Sequence, residues 1–110
     1  MDLNELHHGY RAAVAKDIPL LVTMANRDPD NVWVRDLFFG GSPFPLSDVA
    51  CAPFGFDIEA GENVMHGIDK TTGQPAKLRL RGDVVEIKND YFKEWTPASM
   101  GGVRIYVPKQ

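Results

Sequence analysis

The three histidines and the single cysteine are the side chains of this sequence most able to bind a metal or attack a substrate, and their spacing favours neither. His7 and His8 are adjacent, so on a helix they point about 100° apart, while His66 lies far along the chain. No H-x-x-x-H or second cysteine completes a ligand set. Cys51 has only alanine and proline beside it, with no charge to activate the thiol. We therefore expect no metal, no cofactor and no cysteine nucleophile.

Carboxylates are plentiful but scattered, and no phosphate-binding glycine loop or nucleophile elbow is found. Asp57 and Glu59 alternate, which places them on one face of a short strand, where they fit the solvent side better than an acid pair. We expect a protein that is not an enzyme. An enzyme that uses His66 with Asp57 or Glu59 is kept as a minor hypothesis.

Three cations alternate on one predicted strand: Lys77, Arg79 and Arg81. Because side chains of a strand point alternately to its two faces, all three must project from the same face. They form either a solvated face balanced by acids such as Glu86 on the next strand, or a contact for an acidic partner or a DNA backbone. Arg104 is a candidate to extend this surface.

Large aromatic side chains cluster in the least regular part of the sequence, between residues 38 and 56. Some must cover the core. Phe44 lies between two prolines, and Phe54 follows Pro53, so we interpret both as candidate anchors for a protein partner.

The elements that position these residues are mainly β. Leucine and alanine spacing predicts an amphipathic helix over residues 2–16, which Ile18-Pro19 then ends. Branched and aromatic runs predict six or seven short antiparallel strands between residues 18 and 107, paired by hairpins across Asn26–Asn31 and Asn89–Asp90, with a long irregular loop over residues 40–53. These six or seven strands are drawn from eight candidate segments: Leu20–Met24, Val32–Phe39, Phe54–Ile58, Val64–Lys70, Lys77–Arg81, Val84–Lys88, Tyr91–Trp95 and Val103–Val107. We expect a small β-barrel or sandwich with one N-terminal helix.

Bulk properties set the remaining expectations. A length of 110 residues predicts a single domain over residues 1–110. A net charge of −3 argues against sequence-independent binding of nucleic acid, and one cysteine allows no internal disulfide. No apolar run approaches the ~20 residues of a membrane span, and the first residues do not read as a signal peptide. We expect a cytosolic protein without membrane contact.

The last third of the sequence resembles the head–tail joining proteins of lambda-type tailed phages, also called phage attachment or head-completion proteins. The resemblance rests on Leu80-Arg-Gly-Asp-Val-Val-Glu-Ile87, on Tyr91-Phe92 after a tight turn, and on Gly101-Gly-Val-Arg-Ile-Tyr-Val107. At the level of residues it covers 78–107, and at the level of element order most of the chain. The sequence departs from the family at Thr96–Met100, where such proteins often carry an acidic, glycine-rich turn.

The resemblance implies a non-enzymatic structural protein that joins head to tail of a virion. It implies self-association into a ring, with portal or connector and tail proteins as partners and DNA nearby but not read by sequence. The protein would act in the bacterial host cytoplasm and then in the virion. The alternative from another class is a small monomeric binding module, such as an immunity protein or a phage-encoded inhibitor.

Overall fold

Two helices and nine short strands make up the described part of the chain. The computed structural model describes residues 1–49, 51–52, 64–69 and 73–109. The helices are α1 (Leu3–Gly9) and α2 (Ile18–Arg27). The strands are β1 (Tyr10–Ala12), β2 (Trp33–Asp36), β3 (Phe44–Pro45), β4 (Cys51–Ala52), β5 (Val64–Asp69), β6 (Pro75–Arg81), β7 (Val84–Lys88), β8 (Thr96–Pro97) and β9 (Val103–Pro108).

The strands form two antiparallel sheets, with the spatial orders β1-β9-β2-β3 and β4-β5-β6-β7-β8. Strand β6 shows the alternation that a half-buried sheet requires, since Leu78 and Leu80 are buried while Arg79 between them is only half-buried. Apolar side chains of both sheets meet in one core. The structure confirms the mainly β prediction and makes the fold a sandwich of two sheets, not a closed barrel.

Short strands stand at two edges of this sandwich. β3 ends the first sheet and β8 ends the second, and each has two residues in the ladder. Each also contains a proline, Pro45 or Pro97, which has no N–H to offer to another strand.

Helix α2 contradicts the prediction of a strand at Leu20–Met24 and of a hairpin across Asn26–Asn31. Its buried side chains are Ile18, Leu21, Val22 and Ala25, a spacing of three and four that matches a helix turn. Pro19 lies in the first turn, where its missing N–H leaves no hydrogen bond unmade, so it starts this helix and does not end the one before.

Helix α1 is half as long as predicted. The Asp2 side chain accepts a hydrogen bond from the Glu5 N–H at 2.8 Å, which starts the helix as expected. After Gly9 the chain becomes extended and forms β1, because Tyr10–Ala12 can pair with the last strand, β9. Pairing with a strand far along the chain thus overrides the local helical spacing of residues 10–16.

Two further predictions are wrong in the described residues. Tyr91–Trp95 forms no strand, because the Asn89 side chain accepts the N–H groups of Tyr91 and Phe92 at 2.9 and 2.7 Å and removes them from any ladder. The loop predicted for 40–53 contains β3 and β4, and between them Leu46 is buried in the core.

The remaining strand predictions are confirmed in their described residues. Residues 64–69, 77–81, 84–88 and 103–107 are extended, as expected, whereas the predicted strand at 32–39 ends at Asp36 and continues as a 3-10 turn. The strand predicted for Phe54–Ile58 and the end of the one at Lys70 lie outside the described residues.

A buried ion pair fixes the passage from β1 into α2. Arg11 donates two hydrogen bonds to the Asp17 carboxylate, at 2.6 and 2.7 Å, and the Val14 N–H donates a third at 2.9 Å. The hydrogen bond from Arg11 is the main cause that lowers the pKa of Asp17, although burial opposes it. The Asp17 side chain is 6% exposed, whereas the Arg11 side chain is 37% exposed. Water therefore screens the charge of Arg11 more than the charge of Asp17.

We expect Asp17→Asn to destabilise the fold by about 1–3 kcal/mol at pH 7, because the amide has no charge and keeps only one acceptor oxygen for the donors that now bind two. Folding lowers the pKa of Asp17, so its contribution is present above pH ~4 and is lost as the pH falls through the lowered pKa. Urea unfolding of both proteins between pH 7 and pH 2.5 measures this.

Asp48→Asn is the matched control. Asp48 is exposed and makes no hydrogen bond or ion pair in the described residues, so its replacement should leave stability within about 0.5 kcal/mol. A difference between wild type and Asp17→Asn that does not shrink toward low pH would contradict the assignment.

Candidate protein-binding surfaces

Four exposed apolar residues lie on two loops that pack against each other at one end of the first sheet, and we call them the apolar tip: Leu37, Phe38, Phe39 and Met100. Phe38 is 55% exposed, Phe39 76% and Met100 91%. The rings of Phe38 and Phe39 meet edge to face with their centroids 5.0 Å apart. Monomeric soluble proteins seldom leave a cluster of this kind in water, so it is a candidate contact for another protein.

Hydrogen bonds from β2 hold the first part of the tip in place. The Asp36 carboxylate accepts the Phe38 N–H at 3.1 Å and the Ser99 hydroxyl at 2.6 Å. Arg35 donates from Nε to the Gly41 carbonyl at 2.8 Å and from Nη1 to the Tyr106 hydroxyl at 3.0 Å. These hydrogen bonds therefore connect both the 3-10 turn of residues 37–39 and Gly41 after it to strand β2.

Glycines let the two loops of the tip approach each other. A Cβ on Gly101 would lie 2.3 Å from the Phe38 backbone nitrogen, which no side chain tolerates. Gly40 and Gly102 have φ angles of 90° and 87°, a region that other residues seldom adopt. The Leu37 N–H also donates to the Gly102 carbonyl at 3.0 Å. The tip is thus a fixed feature of the fold.

Phe44 and Phe54, the aromatic anchors predicted from the sequence, are placed differently from the tip. Phe44 is half-buried in β3 and lines an apolar cavity of about 220 Å³ between the two sheets. Phe44 thus lies in a regular strand, despite the prolines on both sides of it. Phe54 lies outside the described residues. The signal for the tip was in the sequence, as Phe38-Phe39 followed by two glycines, but the partner loop at Met100 is brought there only by the fold.

The predicted basic ladder is on the outer face of the second sheet, but its middle member is engaged. Arg79 lies opposite Glu86 in the register, and its Nε donates to the Glu86 carboxylate at 2.6 Å. The guanidinium also lies 4.5 Å from the centre of the Trp95 ring, within cation–π range. Lys77 is half-buried and makes an interaction of its own, and Arg81 is exposed. The predicted pairing with Glu86 is confirmed for Arg79, and the contact with an acidic partner or a DNA backbone stays a prediction.

Arg104 does not continue this ladder. It lies on β9, in the first sheet, where its Nε is 3.4 Å from the Asp83 carboxylate. Its Nη1 is buried and has no hydrogen-bond partner among the described residues. The four predicted cations are therefore divided between two sheets.

The predicted reactive groups are not brought together where the structure describes them. His7 packs edge-on against the Tyr106 ring at 6.0 Å, and His66 lies on β5. In the described ranges, no three His, Cys, Asp or Glu residues are placed to share a metal ion. Asp57, Glu59 and the Cys51 side chain lie outside them. Within the same ranges, no helix is both long and apolar enough to cross a bilayer.

Comparison with protein-family models, with curated proteins and with solved structures finds no match for this chain.

We expect Arg79→Ala to destabilise the fold by about 1–3 kcal/mol, because it leaves Glu86, whose side chain is 5% exposed, without its cation. Arg79 is itself about one-third exposed, which limits the loss. Arg81→Ala, on the same strand face but exposed, should cost less than about 0.5 kcal/mol. Thermal and urea unfolding distinguish them, and equal effects would show that the Glu86 pair does not matter.

Gly101→Ala should destabilise by about 1–3 kcal/mol, since the new methyl group forces the two loops of the tip apart. Gly9→Ala is the control of opposite sign: a Cβ there meets nothing within 4 Å and lies in a helix, so stability should stay or rise. Unfolding curves and proteolysis at residues 37–39 measure both. An intact, fully stable Gly101→Ala variant would contradict the close approach.

Proposed function

We propose that this chain is a non-enzymatic assembly protein of a phage or prophage virion, which joins the portal side of the head to the tail as a subunit of a ring. The apolar tip carries the proposal, because a rigid frame presents large apolar side chains to water. The resemblance of residues 78–107 to head–tail joining proteins supports the same role.

Because hydrogen bonds hold the tip in place, the exposure of its apolar side chains is better explained by binding to a partner than by poor packing. Hydrogen bonds order the backbone of Leu37 and Phe38, and a backbone that is already ordered loses little conformational entropy when a partner covers it. Aromatic residues are also the side chains that most often dominate the energy of a protein interface. The partners proposed are portal or connector proteins, tail proteins and further copies of the chain, first in the host cytoplasm and then in the virion.

The binding experiment mixes the purified protein with the portal and tail-completion proteins encoded by neighbouring reading frames. Cosedimentation and electron microscopy should show a ring bound between them. Phe39→Ser should weaken this binding at least about thirtyfold, the effect of losing one dominant interface residue. Because Phe39 is 76% exposed, the variant should keep its melting temperature within about 2 °C.

Tyr91→Ser is the matched control, since Tyr91 is also an exposed aromatic residue but lies in the loop after β7. It should bind as the wild type does. A protein that stays monomeric with portal and tail components and binds neither would exclude the joining role. A stable one-to-one complex with another single protein would instead favour the inhibitor or immunity class.

A further inference from the structure

Three basic side chains form a row across the outer face of the second sheet, and we call it the basic row: His66, Lys77 and Lys88. His66 of β5 lies opposite Lys77 of β6, and Lys77 lies opposite Lys88 of β7. Neighbouring strands are about 4.8 Å apart, so the three side chains stand side by side. All three are half-buried.

The row lines a shallow pocket of about 280 Å³, together with Pro75, Ala76, Asn89 and Asp90. A water molecule takes up about 30 Å³ of liquid, so the pocket has room for a tetrahedral oxyanion and several waters. Its position on the outer sheet face separates it from the apolar tip.

The polar groups around the pocket are mostly donors. Each ammonium group offers three N–H donors and no acceptor. The Asn89 side-chain oxygen already accepts the N–H groups of Tyr91 and Phe92, so its amino group is what remains for a ligand. Asp90, exposed at the rim, is the one carboxylate among the described lining residues.

Lys77 and Lys88 bring two positive charges close together across one ladder. Lys77 faces Lys88 in the register of β6 and β7, and two residues further along β6 Arg79 faces Glu86, with which it forms an ion pair. Like charges directly opposite each other in an antiparallel pair are destabilising. Lys88 makes no hydrogen bond or ion pair in the described part of the chain. His66 and Lys77 each already take part in an interaction, and an ammonium group with three N–H donors can make more than one hydrogen bond.

We propose that the basic row binds an oxyanion of the phosphate class, which takes its hydrogen bonds from Lys77, Lys88 and Asn89. This site does not rest on the proposed joining function, because it uses other residues on another surface. Charge-assisted hydrogen bonds from several donors are the usual means of holding phosphate groups in proteins.

The test is an NMR titration of the ¹⁵N-labelled protein with potassium phosphate, against potassium chloride at equal ionic strength. Phosphate should cause saturable shifts at the amides of residues 66, 77, 88 and 89, and chloride should not. Lys88→Gln should weaken binding about tenfold, the effect of losing one charged hydrogen bond. Lys88 is chosen because no described contact depends on it, so the variant should fold.

Two further variants test how charge at the pocket changes the affinity for phosphate and whether the effect is confined to residues that line the pocket. Asp90→Asn removes the negative charge at the rim and should tighten phosphate binding about threefold, as expected for a partly screened charge. Arg81→Gln removes an exposed cation that does not line the pocket and should leave the affinity unchanged.

A second titration, with a short single-stranded DNA oligonucleotide, distinguishes a nucleic-acid backbone from a small molecule as the source of the phosphate group. Tighter binding at the same amides, lost in Lys88→Gln, would support the site with a nucleic-acid backbone as its ligand. Response to inorganic phosphate and pyrophosphate alone would support it with a small ligand. Equal shifts in phosphate and chloride, or a folded Lys88→Gln variant that binds phosphate as tightly as wild type, would overturn the proposal.

Discussion

Strand β9 is the element on which the rest of the structure depends. It pairs with β1 along one edge and with β2 along the other, so residues near the start, the middle and the end of the chain meet in one ladder. Its Ile105 and Val107 side chains are buried in the core that α2 and both sheets share. Because these contacts are distant in sequence, the first sheet can form only after most of the chain has been made.

The position of β9 also explains why the tip has a fixed shape. The turn before the strand contains Gly101 and Gly102, and it packs on the turn that follows β2. Two loops that are 60 residues apart thus become one surface because their strands are neighbours. The Asp36 carboxylate, which accepts hydrogen bonds from both loops, joins them directly.

The sequence predicted the elements whose patterns are local and unambiguous. The alternation in Lys77–Arg81 and Val103–Val107 defines half-buried strands without help from the rest of the fold. The helix α2 was missed because Leu20–Met24 is rich in apolar residues, and a short apolar run fits a buried helix as well as a strand. The spacing from Ile18 to Ala25 carried the missing signal.

The candidate surfaces could be predicted only in part from the sequence, for a different reason. Alternation correctly placed Lys77, Arg79 and Arg81 on one face, and it even indicated Glu86 as the balancing acid. The row from His66 to Lys88 runs across three strands, so it depends on the register between β5, β6 and β7, which alternation within a single strand does not specify. Met100 and Phe38 are likewise brought near each other only because β2 pairs with β9.

The prolines at the edges of the sandwich limit how this protein can associate. An edge strand recruits a second chain by offering it a row of free N–H and C=O groups, which is also how amyloid and swapped dimers begin. β3 and β8 offer two residues each, and Pro45 and Pro97 remove one donor from each row. At these two edges, another copy of the chain finds few free backbone groups with which to extend the sheet, so contacts formed there depend mainly on side chains.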